Sequence, residues 1–346
     1  LAYGQFTPYL SLPPAKYDFA VRATGSPAVV ASFRADLSGL AGGAAYVFAS
    51  GLLGGTPAFG LFAALPNGNV LELPLTPTAR LQVIHNSPDP TVDVYAGNTL
   101  LLDNFAFRTA TPYISVPADR DITLGIAGEN STSASGALAS FDVNLDEGGT
   151  YAVMAAGIVG NPGTPFTLVV DADAREAALD PNNVEFNVTH GSPDAPSVDI
   201  AVVGVGTIIN GLSYPDFTGY FSVPAASYLV QVLPAGTSDV LATYRAELSG
   251  LAGGAARVFA SGLLNGTPGF GLFAALADGT VIELPLVTAP KFARVQVIHN
   301  SPSPVVDVYA NDDLLIDDFA YRTATPFIDV PAGVDITLGI APGNST

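Results

Sequence analysis

RLQVIHNSPDPTVDVY (residues 80–95) returns as RVQVIHNSPSPVVDVY (residues 294–309) and, more loosely, as EFNVTHGSPDAPSVDI (residues 185–200). Each copy is a β-rich run that ends in His. Asn or Gly follows, then Ser-Pro, a few turn residues and Val-Asp-Val or Val-Asp-Ile. Val, Ile and Thr favour extended backbone, and Pro beside Asn, Asp or Gly interrupts it. The motif therefore reads as strand, turn, strand. All three histidines of the chain, His85, His190 and His299, stand at this one place. A position that recurs once per copy belongs first to the architecture of the copy.

The copies sit inside longer repeats. Residues 31–61 return as residues 242–272, an offset of 211, with six differences in 31 positions. The motif at residue 80 returns at residue 294, an offset of 214, because the second linker is longer. Within this period lie two related units of about 100 residues, a common domain size. The expected order is a partial type-A unit (1–76), a type-B unit (79–173), a short helical linker (174–183), a type-A unit (184–287) and a partial type-B unit (293–346). The linker is expected to be helical from ADAREAAL, with Asp180-Pro181 as its stop. The first unit lacks the counterpart of residues 184–211, and the last lacks that of residues 133–173.

A sandwich cut through its core leaves open strand edges. Two expectations follow. Either the array continues in both directions, or neighbouring subunits complete the cut units by strand addition. Leu1, Tyr3 and Phe6 at one end and Leu338 and Ile340 at the other are the candidate joining residues. The continuing array is favoured, because the segments around residues 9–21 and 327–340 overlap. A start at Leu1 and not Met agrees with a window on a longer chain.

Hydrophobic residues make up 49% of the 346 and charged residues only 12%, with 36 Gly and 28 Pro. That is the balance of many short strands and tight turns. In the type-B unit, strands are predicted near 80–84, 92–95, 98–102, 111–116, 121–126, 136–144, 150–156 and 164–170. Seven or eight short strands per hundred residues predict an all-β chain of tandem Ig-like antiparallel β-sandwiches. The net charge of −19 argues against nucleic acid and against anionic membrane surfaces. No apolar run reaches the ~20 residues that span a bilayer, and no secretory leader is visible. Cysteine is absent, which suits a long-lived extracellular protein held together by its cores.

Chemistry-bearing residues are sparse. His85, His190 and His299 with Asp93, Asp199 and Asp307 could serve a hydrolase or a metal. One His per unit and no Gly-x-Ser-x-Gly elbow favour a structural role. In that role the His donates to a turn carbonyl. The serines of the motif (Ser87-Pro88, Ser192-Pro193 and Ser301-Pro302) cap the turn with the following Asp. The acidic pairs Asp312-Asp313, Asp317-Asp318 and Asp146-Glu147 are the only candidates for calcium, and no EF-hand spacing is present. Phe105, Phe107, Tyr113, Phe319, Tyr321 and Phe327 form either a ligand platform or core. Arg108 and Arg322 are expected to pair with an Asp. The run LAGGAA at 40–45, repeated at 251–256, reads as a hairpin turn. Asn130, Asn187, Asn265 and Asn344 head glycosylation sequons.

At HNSPDPTVDVYAGNTLLLDNFAFRTATPYISVPA (residues 85–118) the sequence resembles the prokaryotic cell-surface family known as domain of unknown function 4397. Type B matches at His85, Ser87, Pro88, Asp89, Val92, Asp93, Val94, Tyr95, Val116 and Pro117. Type A matches at His190, Ser192, Pro193, Asp194, Pro196, Val198 and Asp199, but has Ala201 in place of the Tyr. Ser303 replaces an Asp of the pattern in the partial unit. The resemblance implies a secreted or surface-anchored β-domain and no activity. The expectation is a structural segment of an extracellular filament that self-associates or continues as a longer chain. It takes no cofactor unless calcium, and it is not an enzyme. An adhesin that binds surface glycans is the alternative.

Overall fold

The computed structural model describes residues 3–26, 28–287, 292–311 and 313–345. The first five strands are β1 (Lys16–Arg22), β2 (Val29–Asp36), β3 (Tyr46–Ser50), β4 (Gly60–Ala64) and β5 (Val70–Leu73). Nine follow: β6 (Thr78–His85), β7 (Val92–Ala96), β8 (Thr99–Phe105), β9 (Thr109–Ala110), β10 (Ile114–Pro117), β11 (Ile122–Gly128), β12 (Ala139–Val143), β13 (Thr150–Ala156) and β14 (Thr167–Asp171). Type A supplies β15 (Asn183–Thr189), β16 (Val198–Val202), β17 (Gly206–Leu212), β18 (Phe221–Pro224), β19 (Ser227–Pro234), β20 (Ala242–Glu247), β21 (Ala255–Ser261), β22 (Gly271–Leu276) and β23 (Val281–Glu283). The last seven are β24 (Phe292–Val295), β25 (Ile298–His299), β26 (Val306–Ala310), β27 (Asp313–Phe319), β28 (Thr323–Ala324), β29 (Ile328–Pro331) and β30 (Leu338–Pro342).

The opening motif carries the chain from one layer to the other. β6 lies in the sheet ordered β10-β6-β13-β14, with β9 also on β6, and β7 lies in the sheet β12-β11-β7-β8. Between the layers Val92, Val94 and Ile126 pack with Leu102, Phe105, Phe141 and Phe166. Type A repeats the plan as β18-β15-β21-β22-β23 and β17-β16-β19-β20. Its core gathers Val188, Ile200, Ile209, Leu212, Val232, Tyr244 and Leu272.

The all-β tandem reading holds, with one refinement. β6 runs parallel to β13, and β15 runs parallel to β21. Strands in the middle of such a sheet are covered on both faces and lose the alternation of a half-wet strand. Tyr151 to Ala156 are accordingly all buried.

The chain divides into two compact units. One comprises Leu1–Ala79, Ser115–Ile122 and Asp142–Gly149, and the other Arg80–Ile114, Thr123–Phe141 and Thr150–Thr346. In the first, β1-β2 and β3-β4-β5 enclose Phe33, Ala35, Leu61, Ala63 and Leu73. At the C-terminal end of the second, β24-β29, β25-β28 and β27-β26-β30 form three small sheets.

Two expectations are corrected. The helical linker at 174–183 is not helical, and no helix occurs among the described residues. Its backbone is taken by neighbouring strands: Ala174 N–H donates to Thr150 C=O and Ala178 N–H to Gly253 C=O. Arg175 is drawn to Glu185, and Glu176 holds Arg80 at 2.7 Å. Helix propensity yields to these tertiary partners. The LAGGAA runs are not hairpins either. β2 and β3 lie in different sheets, as do β20 and β21, so each run crosses between layers.

Candidate functional site

The recurring histidines end their strands inside the fold. His85 is buried against Phe105 with ring centroids 5.7 Å apart, and His190 packs on Tyr214 at 6.4 Å. His299 repeats the contact on Phe319 at 5.6 Å. His190 Nε2 meets the Pro196 carbonyl at 3.0 Å, the turn contact expected from sequence. Neither ring nitrogen of His85 has a hydrogen-bond partner among the described residues. Burial lowers the His85 pKa to about 4, with the Pro90 carbonyl opposing. The ring is neutral at physiological pH and acts as a packed aromatic.

The serines do more than cap their own turn. Ser87 Oγ donates to Gly157 C=O at 2.7 Å, and Ser192 Oγ donates to Gly262 C=O at 2.8 Å. Each ties the Ser-Pro turn (Pro88 and Pro193) to the loop after the parallel partner strand. Among the described residues Ser301, beside Pro302, reaches only Ser303 C=O at 3.1 Å.

The aspartates clamp loops. Asp93 accepts from Asn104 N–H at 2.7 Å and from the Ser131 amide and hydroxyl at 2.7 and 2.6 Å. Asp199 accepts from the Gly211 and Gly236 amides at 2.7 and 2.8 Å. Asp307 accepts from Asp318 N–H and from both donors of Ser345, each at 2.7 Å. Burial works against the Asp93 charge, but the Ser131 hydroxyl and the two amides outweigh it and hold the pKa below the usual value. Asp307, Asp317 and Asp318 bring carboxylate oxygens within 4.8 Å of one another. A cation there would compete with the donors that Asp307 already holds. Asp312 lies outside the described residues.

Where the unpaired faces go is not visible in the sequence. Within the second compact unit, the outer face of β6, β13 and β14 packs on the outer face of β21 and β22. Ile84, Met154, Ala156 and Val169 meet Phe259, Phe273 and Ala275 in one cluster. Full burial of a side chain such as Phe259 or Ile84 contributes ~1.5–3 kcal/mol. Polar bonds cross the same seam. Gln82 Nε2 donates to Leu276 C=O at 2.7 Å, and Asn86 Nδ2 donates to Gly191 and Ala260 carbonyls at 3.0 and 3.1 Å. Arg257 is buried, pairs with Asp171 and donates to Thr189 Oγ1 at 3.0 Å. Asn187 Nδ2 also donates to Asp171, at 2.8 Å.

Arg108 belongs to this seam. Among the described residues no Asp pairs with it. Its guanidinium donates to Ser261 Oγ at 3.0 Å and Gly269 C=O at 2.6 Å and covers the Phe273 ring at 4.2 Å. Arg322 lies over Tyr321 at 4.8 Å. The aromatic platform also dissolves: Tyr113 and Phe319 are core, Phe105 packs on His85 and Phe107 lies under Arg108, while Phe327 and Tyr321 stay exposed. Asn187 is buried, so its sequon is closed in the folded chain, whereas Asn130 and Asn265 are exposed.

A second kind of joint runs from type A to the type B that follows. Arg34 Nη1 donates to Ala118 C=O at 2.6 Å and pairs with Asp18, which also holds Arg120 at 2.9 Å. The counterpart Arg245 donates to Gly333 C=O. A sandwich that presents the same arginine to the same loop twice has a repeatable joint.

The sequence profile described as Domain of unknown function (DUF4397) matches residues 79–201, 184–277 and 293–346. The chain belongs to the DUF4397 family. No curated protein matches it. The DUF4397 segments contain all three His-Asn/Gly-Ser-Pro motifs and both partners of the Arg257–Asp171 pair. Of the candidate joining residues, Tyr3, Phe6, Leu338 and Ile340 are exposed, and Leu1 lies outside the described residues.

Proposed function

We propose that this DUF4397 chain is a structural segment of an extracellular or cell-surface filament, built from β-sandwiches locked face to face. The observation that carries the reading is the seam of the second unit. Adjacent sandwiches share an apolar cluster, and a buried ion pair crosses between them. A flexible string of beads needs neither. Opening the seam would return its apolar cluster to water, a cost that suits a part that must resist bending. The hydrogen-bonding capacity of the motif aspartates is spent on loop amides, a further point in favour of a structural role.

Electron microscopy of the native assembly, with denaturing electrophoresis of the same sample, tests the reading. Filaments that contain this chain are the expected result. Dispersed particles that bind a glycan array saturably would replace the filament with an adhesin.

A further inference from the structure

Strand registers show which residues of the two complete sandwiches correspond. β6 sets Gln82 beside Ala152 of β13, and β15 sets Asn187 beside Arg257 of β21. β13 sets Met154 beside Val169 of β14, and β21 sets Phe259 beside Phe273 of β22. Met154 and Val169 of type B and their counterparts Phe259 and Phe273 of type A all lie in the apolar cluster of the seam. The two sandwiches therefore meet through the same face.

The polar contacts follow a local two-fold axis. Gln82 Nε2 donates across the seam to Leu276 C=O, and its counterpart Asn187 donates back across it to Asp171. Asn86 Nδ2 donates to the carbonyl of Gly191, its own counterpart. A residue that meets its own counterpart stands on the axis of a same-face interface. Arg108 fills one mouth of the seam, against Gly269 and Phe273. Pro215 takes its place at the other mouth and leaves a cleft lined by Thr167, Val169 and Phe217.

A strict two-fold face would let any sandwich close on its like. Two differences oppose this. On the axis, type B carries Asn86 and type A carries Gly191. A Cβ on Gly191 would come within 2.2 Å of Asn86 Nδ2 and 2.5 Å of the Ala260 carbonyl oxygen, so two asparagines crowd each other there. Off the axis, Arg257 meets Asp171, and the residues at the related places are Ala152 and Ala275. Type A on type A would set Arg257 against Ala275, and type B on type B would set Asp171 against Ala152. Either leaves buried charges unpaired, which is strongly unfavourable.

We infer that the seam is a two-fold interface made one-sided: Asn86 against Gly191 and Asp171 against Arg257 let a type-B face close on a type-A face and not on its like. This goes beyond the filament reading and stands whether or not the chain forms filaments. Specificity of this kind comes from contacts that exclude the wrong partner as well as from those that hold the right one.

The test exchanges the axis residues in the full chain. The chain has no cysteine, so Met154→Cys places a single thiol inside the seam, at a side chain that is 0% exposed. Its rate of labelling by a thiol reagent reports opening. In this background G191N sets Asn against Asn, the type-B contact with its like. N86G sets Gly against Gly and removes the bonds to Gly191 and Ala260. Each is expected to raise the labelling rate about tenfold, the effect of a lost buried hydrogen bond or two. N86G/G191N restores the pair in the opposite sense, because the asparagine placed at position 191 meets the carbonyl at position 86 and that of Ala155, the counterpart of Ala260. Its rate should return to within about threefold of the parent, a coupling that only neighbouring residues show. A double variant that labels as fast as G191N would overturn the two-fold seam, and so would single variants that label like the parent. Urea unfolding of the same set with Met154 in place repeats the comparison without the thiol. Destabilised single variants and a restored double are expected, and additive losses would overturn the inference.

Discussion

Asp171 at the end of β14 and Arg257 in the middle of β21 meet in an ion pair that links two sandwiches and is closed to solvent on both sides. The counterpart of Arg257 in the first type-A unit is Tyr46, so the charge belongs to this seam and not to the sandwich as such. A buried pair contributes little over an apolar replacement, but half of one is costly. Arg257→Met alone or Asp171→Leu alone is expected to lower unfolding stability by about 3–5 kcal/mol. The double variant should recover most of that loss. Urea denaturation of the four proteins measures it, and additive losses in the double variant would contradict the coupling.

His85 makes stability fall in mild acid. In the unfolded chain its pKa is near 6.5, and in the fold burial holds it at about 4. Between these values the unfolded chain binds a proton that the folded chain refuses. The contribution is therefore whole above pH 6.5 and drains away as pH falls towards 4, by roughly 3 kcal/mol. His85→Gln removes the titrating group, so its urea midpoint should change less between pH 7.5 and 4.5 than that of the wild type. Equal changes in the two proteins would mean that His85 does not carry the effect.

Asp93 acts in a lower pH range. Its pKa is depressed in the fold, so its contribution is present above the unfolded value near 3.9 and disappears as pH falls through the folded one. Asp93→Ala leaves the Asn104 and Ser131 amides without their acceptor, an expected loss of about 2 kcal/mol at pH 7. Asp93→Asn keeps an acceptor and should lose less. Thermal unfolding at pH 7 ranks the three proteins.

Much of this was visible in the chain. The repeats, the strand positions in type B and the buried motif followed from β-branched runs and Ser-Pro turns, because those signals are local. The Asp171–Arg257 pair was not visible: the partners are 86 residues apart and lie in different sandwiches. The one available clue was Arg257 against Tyr46, one of six differences between otherwise matching segments. ADAREAAL misled for the same reason. Its helix propensity is local, while Thr150 and Gly253, which claim its backbone, are not.

The Ser87–Gly157 bond predicts a sharp difference between two glycines three residues apart. Both have positive φ, +82° at Gly157 and +78° at Gly160. Alanine at either place loses about 1 kcal/mol to the left-handed backbone. At Gly160 a Cβ meets nothing within 4 Å, so the loss should stop there. At Gly157 it would come within 2.1 Å of the Pro165 carbonyl oxygen, and backbone must shift to admit it. That shift moves the carbonyl that Ser87 Oγ holds at 2.7 Å and loosens the turn that carries His85. Gly157→Ala should therefore lose more than about 3 kcal/mol, beyond the usual range for a point substitution. Urea denaturation of the two variants side by side decides it. Similar losses in both would place the strain in the backbone angle alone and remove the Ser87 bond from the account.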